Sequence, residues 1–94
     1  MALLIKPNGK TELVYPIQKP YFSLAELQGH VGGHITIVKD LAGNKVVVDE
    51  EGLPKNLKLN SKASLRCGFR IVGNALCVLD NEIQTEEARD NVAN

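Results

Sequence analysis

Apolar and polar positions change their period several times along this chain. Two extended runs, residues 3–6 and 11–17, flank Pro7-Asn8-Gly9-Lys10. Asn-Gly between such runs is the strongest short hairpin signal, because both residues tolerate a positive φ. In the second run Leu13, Tyr15 and Ile17 alternate with Glu12, Val14 and Pro16. One face, that of Leu13, Tyr15 and Ile17, is therefore the candidate for burial. Pro16 has no N–H, which points to an edge position or a strand end.

The period then changes at Phe22-Ser23-Leu24-Ala25-Glu26-Leu27. Ser23 and Glu26 have capping-box spacing, with Phe22 and Leu27 at the hydrophobic-staple positions. They predict a helix starting at Leu24, kept short by Gly29 and then Gly32-Gly33. Residues 34–40 and 45–49 carry Ile35, Ile37, Val46, Val47 and Val48 across Leu41-Ala42-Gly43-Asn44 and read as a second hairpin. Asp49-Glu50-Glu51-Gly52 ends it as a solvated turn. After Pro54, a second helix is expected, capped by Asn60 or Ser61 and ended or loosened by Gly68. Lys62, Arg66 and Arg70 would share one face of it, and Leu65 and Phe69 would form the matching apolar pair. Residues 69–79 form a last apolar strand interrupted by Gly73-Asn74. The coarse order is β-β-α-β-β-α-β, an α+β domain on a mostly antiparallel sheet over residues 1–79, followed by an acidic polar tail at 80–94.

Ninety-four residues allow one small domain. A chain of this length buries only about 60–65% of its unfolded surface, so association or a ligand would add to a marginal stability. A homo-oligomer is expected, because few elements close the sheet and an edge is left to be covered. The apolar fraction of 44% with 23% charged residues is that of a soluble globular domain. Eleven basic and eleven acidic residues cancel, which removes any global attraction to nucleic acid or membrane. Four aromatics and no Trp argue against a base-stacking platform. The opening apolar run is too short for a secretory or membrane segment, so a cytoplasmic location is expected.

The candidate chemistry is sparse. Cys67 and Cys77 lack the spacing of a zinc or redox pair and read as buried thiols. His30 and His34 are separated by Gly32-Gly33, which breaks the helix that would align them as metal ligands. Gly29, Gly32 and Gly33 follow a helix, whereas phosphate loops open one. No cofactor, metal site or nucleophile–base pair is expected, and no enzyme. Residues 55–70 hold five bases (Lys55, Lys58, Lys62, Arg66 and Arg70) and no acid. Within this segment and just beyond it, Asn60, Lys62, Arg66, Arg70 and Asn74 are the candidate ligands for an anion. The competing expectation is that the same charges pair with the acidic tail at Glu82, Glu86, Glu87 and Asp90.

Four segments carry a likeness: Val31-Gly32-Gly33-His34-Ile35, Val48-Asp49-Glu50-Glu51-Gly52-Leu53, Leu57-Lys58-Leu59-Asn60 and Ile71-Val72-Gly73-Asn74-Ala75. In this order they resemble a family of small domains of unknown function, mostly short proteins of phages, plasmids and other mobile elements. The likeness covers residues 3–79. It departs at Asp49, where the family typically has Asn, and in the extra bases after Pro54. The resemblance implies a small α+β fold and a mobile-element origin, and no activity. In that setting the expected function is sequestration of an anionic small molecule, such as a nucleotide-derived host immune signal. The alternative is a protein–protein module that blocks a host factor through its sheet edge or basic face.

Overall fold

The computed structural model describes residues 1–18 and 21–78. Seven elements follow in the expected order: β1 (Ala2–Ile5), β2 (Thr11–Val14), α1 (Leu24–Val31), β3 (Ile35–Lys39), β4 (Lys45–Asp49), α2 (Ser61–Cys67) and β5 (Ala75–Val78). The strands form one antiparallel sheet in the order β2-β1-β5-β4-β3. The last strand to be made is thus the middle one. It joins the β1–β2 hairpin to the β3–β4 hairpin, with Leu76 opposite Leu4 on one side and Val47 on the other.

Each face of the sheet carries its own core. Ala2, Leu4, Val14, Ile35, Ile37, Val47, Leu76 and Val78 pack with Phe22, Leu27 and Val31 around α1. Ile5, Val46, Val48, Ala75 and Cys77 pack with Ala63, Cys67 and Ile71 around α2. Because side chains alternate across a strand, a sheet covered on both faces needs apolar residues in succession. That is why Val46-Val47-Val48 and Ala75-Leu76-Cys77-Val78 are buried without interruption.

Helix α1 starts as its cap predicts. The Ser23 hydroxyl accepts the Glu26 N–H, and the Glu26 carboxylate accepts the Ser23 N–H, while Phe22 and Leu27 are fully buried. The stop is Gly32, at φ 95°; Gly29 lies inside the helix. Helix α2 is capped by Asn60 and stopped by Gly68.

Four expectations are corrected. Val14 and Pro16 are buried while Leu13, Tyr15 and Ile17 are exposed. Val14 lies opposite Ala2 on the α1 side, and Leu13 faces outward at an edge strand that α2 does not cover. In α2 the buried pair is Ala63 and Cys67, not Leu65 and Phe69. The first turn uses only Gly9 at positive φ; Asn8 contributes by accepting the Lys10 N–H on its side chain. The acidic turn is solvated only in part, since Asp49 is buried while Glu50 and Glu51 are exposed.

Candidate functional site

Two acids that sequence reading passed over or misplaced neutralise much of the basic segment. Asp40 opens the β3–β4 turn. Its side chain accepts the N–H groups of Ala42 and Asn44 at 2.9 and 2.8 Å, and its second oxygen takes the Arg66 guanidinium at 3.1 Å. Burial opposes ionisation of Asp40, but the Asn44 backbone and amide, Arg66 and the Ala42 N–H together hold its carboxyl below the ordinary range. The legible signal was an Asp opening a tight turn, where its carboxylate mimics a backbone acceptor. Asp49 accepts the Glu51 N–H on one oxygen and the Lys55 ammonium on the other, each at 2.8 Å. Gly33 lies directly against this pair, where a Cβ would collide with the Lys55 ammonium.

The five residues expected to bind an anion do not converge. Helix α2 ends at Cys67, so Arg70 is beyond it and cannot share a helical face with Lys62 and Arg66. Asn60 is fully buried, and its amide donates to the carbonyls of Ile5 at 2.9 Å and Gly73 at 2.8 Å while accepting the Ala63 N–H. Lys62 donates to the Gly9 carbonyl at 2.8 Å. Arg66 belongs to Asp40. Asn74 donates to the His30 carbonyl at 3.1 Å, joining the end of α1 to the start of β5. Arg70 alone of the five has no hydrogen-bond or ion-pair partner among the described residues. The acidic tail lies outside the described residues, so its expected pairing with this segment has no structural counterpart here.

Arg70 lines a cleft of about 200 Å³. Val38, Val48 and Asp49 line it from the sheet, with Glu50, Gly52, Leu53 and Pro54 from the loop after β4 and Phe69, Arg70, Ile71 and Val72 from the segment after α2. Gly52 permits the loop to sit close, because a Cβ there would meet the Val72 side chain at 2.8 Å. Leu53 and Phe69 are 69% and 47% exposed, so the cleft has an apolar rim beside an uncommitted cation.

Burial raises the pKa of both Cys67 and Cys77, leaving them as thiols rather than nucleophiles at neutral pH. No group of three or more metal-ligating side chains occurs among the described residues. His30 packs edge-on to Phe22 with ring centroids 6.3 Å apart. Among the described residues no helix is long and apolar enough to cross a membrane.

The model of a domain of unknown function, DUF3846, matches residues 1–92. The chain belongs to that family. No curated protein and no solved structure matches it. The DUF3846 match runs past β5 and takes in most of the acidic segment. The four segments behind the resemblance meet at one end of this DUF3846 sheet. Glu50 N–H donates to the His34 carbonyl, Leu57 N–H to Gly52, and Gly73 N–H to Lys58. They therefore build the frame behind the cleft.

Proposed function

We propose that this domain is a non-enzymatic binding protein for an anionic small molecule, held in the cleft with its charge at Arg70. The observation that carries the reading is the state of Arg70. Lys55, Lys62 and Arg66 spend their charge on Asp49, the Gly9 carbonyl and Asp40, whereas Arg70 and Lys58 spend none on a described residue, and of those two Arg70 is the one that lines the cleft rimmed by Phe69 and Leu53. A guanidinium beside an aromatic face suits a phosphoryl group attached to a planar ring. The volume sets the limit. Drug-sized pockets run to about 300–1,000 Å³, so a cleft of about 200 Å³ takes one ring or one phosphoryl group of a larger ligand. Glu50 and Asp49, also in the lining, repel a second phosphate there; Asp49 is answered by Lys55, and Glu50 accepts from an amino group. The mobile-element setting implied by the resemblance favours a nucleotide-derived host immune signal as the anion, sequestered rather than converted.

Calorimetry against a panel of linear and cyclic nucleotides tests this. Binding should weaken as salt rises, and Arg70→Glu should abolish it with the denaturation midpoint unchanged. Binding that survives Arg70→Glu, or its absence for every nucleotide in the panel, overturns the reading.

A second reading rests on β2. This edge strand and the segment that follows it leave Leu13 52%, Tyr15 55% and Ile17 84% exposed, beside a groove of about 600 Å³ shared with Glu26, Gly29 and His30 of α1. Its occupant would be a second copy. Antiparallel self-pairing centred on Leu13 sets Leu13 against its own counterpart and Thr11 against Tyr15, covering both the edge and the apolar row. Light scattering should then give about twice 10.2 kDa, and Leu13→Lys should return the monomer mass. A monomer at every micromolar concentration removes this reading.

A further inference from the structure

Two side chains in the cleft lining carry charge that no described residue answers. One is Arg70; the other is Glu50. Strand β4 sets where Glu50 stands. Side chains alternate along it, and Val46 and Val48 belong to the α2-side core, so Glu50 continues their row on that face. Its backbone N–H donates to the His34 carbonyl at 2.8 Å, which carries the β3–β4 ladder one residue past the strand. The exposed carboxylate thus rises from a fixed wall of the cleft. Asp49, the other acid of the lining, has one oxygen on the Glu51 N–H and the other on the Lys55 ammonium. Among the described residues, Glu50 is therefore the carboxylate of the lining with both oxygens unspent.

We infer that Glu50 makes the cleft select guanine bases, accepting the two adjacent donors of the guanine edge while Phe69 covers the ring and Arg70 takes the phosphoryl group. The inference deepens, and rests on, the reading of the cleft as an anion site. An ionised carboxylate only accepts, and it offers two oxygens side by side. Its match is a planar edge with two donors side by side. Guanine has one, a ring N–H next to an amino group. Adenine and cytosine set their amino group beside a ring nitrogen that accepts, so the second oxygen would meet a lone pair. Uracil flanks its N–H with two carbonyls. The volume agrees, since about 200 Å³ takes the ring and leaves the phosphoryl group at the rim, where Arg70 is exposed.

Titration calorimetry at low salt with the monophosphates of guanosine, inosine, adenosine and cytidine tests it. Guanosine monophosphate should bind about tenfold more tightly than the adenosine and cytidine compounds, because both of its donors meet a charged acceptor. Inosine monophosphate keeps the ring N–H and lacks the amino group, so it should fall between. Glu50→Gln replaces one acceptor by a donor. It should bring guanosine and adenosine monophosphate within about twofold of each other, with the denaturation midpoint unchanged. Equal affinities for all four in the unaltered protein overturn this inference and leave the Arg70 reading standing, as does a guanosine preference that survives Glu50→Gln. Binding by none of the four removes the Arg70 reading and this inference with it.

Discussion

At the scale of single residues, Asn60 shows how a side chain that looks suited to a ligand is consumed by the fold. Both amide protons go to carbonyls of other elements, and its oxygen caps α2, all at zero exposure. Removing it would strand two buried carbonyls as well as the cap. Asn60→Ala should therefore cost about 2–4 kcal/mol by denaturant titration, more than a simple cap loss. Asn74→Ala, which releases one half-exposed bond to His30, should cost under about 1 kcal/mol. Equal losses would contradict the pinning role of Asn60. From the sequence, Asn60 was legible as one of two candidate caps, with Ser61 the other, and the structure selects Asn60. Its two long-range bonds were not, since the partners at Ile5 and Gly73 are 55 and 13 residues away.

At the scale of elements, the start of α1 and the bounds of β4 were legible, because caps act locally, whereas the stops were legible only as candidates: α1 runs through Gly29 to Gly32, and α2 ends at Gly68 short of Arg70. Burial faces were not. The face of a strand is set by register with its neighbours, and a one-residue change exchanges its two sides. For β2 that register comes from Val14 opposite Ala2, a pairing no local pattern announces. For α2 the choice follows from closeness: its inward residues are Ala63 and Cys67, both small, with Leu65 78% exposed. Ala63→Leu should be destabilising by about 1–3 kcal/mol through overpacking against the sheet. Leu65→Ala should change the midpoint little, within about 0.5 kcal/mol. A larger loss from Leu65→Ala would show that its face is covered in solution. The basic cluster failed as a single site for a related reason, since Gly68 ends the helix before Arg70 and the four-residue spacing loses its meaning.

At the scale of the whole molecule, opposing titrations bound the stability. Burial favours the protonated form of Glu26, but the Ser23 N–H, the Ile17 N–H and the Ser23 hydroxyl outweigh it, and its carboxyl lies below the ordinary value. Asp40 is lowered in the same way, with Asn44 first among the groups that overcome its burial. A depressed carboxylate contributes stability above its unfolded pKa and loses that contribution as pH falls through the folded one. Cys67 and Cys77 act with the opposite sign. Burial raises both, so their contribution is full below the unfolded thiol value and is lost as pH rises through the folded one. The denaturation midpoint should therefore be flat between about pH 5 and 8 and fall on both sides, beginning near the ordinary carboxylate and thiol values of about 4 and 8.5. The two limbs are separable. Asp40→Asn keeps an oxygen for the Ala42 and Asn44 N–H groups but gives up the charge facing Arg66, so it should lower the plateau and make the acid limb shallower. Cys77→Val lies in the fully buried middle strand and should leave the acid limb alone while weakening the alkaline fall. An acid limb of unchanged steepness in Asp40→Asn would assign acid unfolding to other carboxylates, and the half-buried Arg66–Asp40 pair would then be a spectator to the pH response.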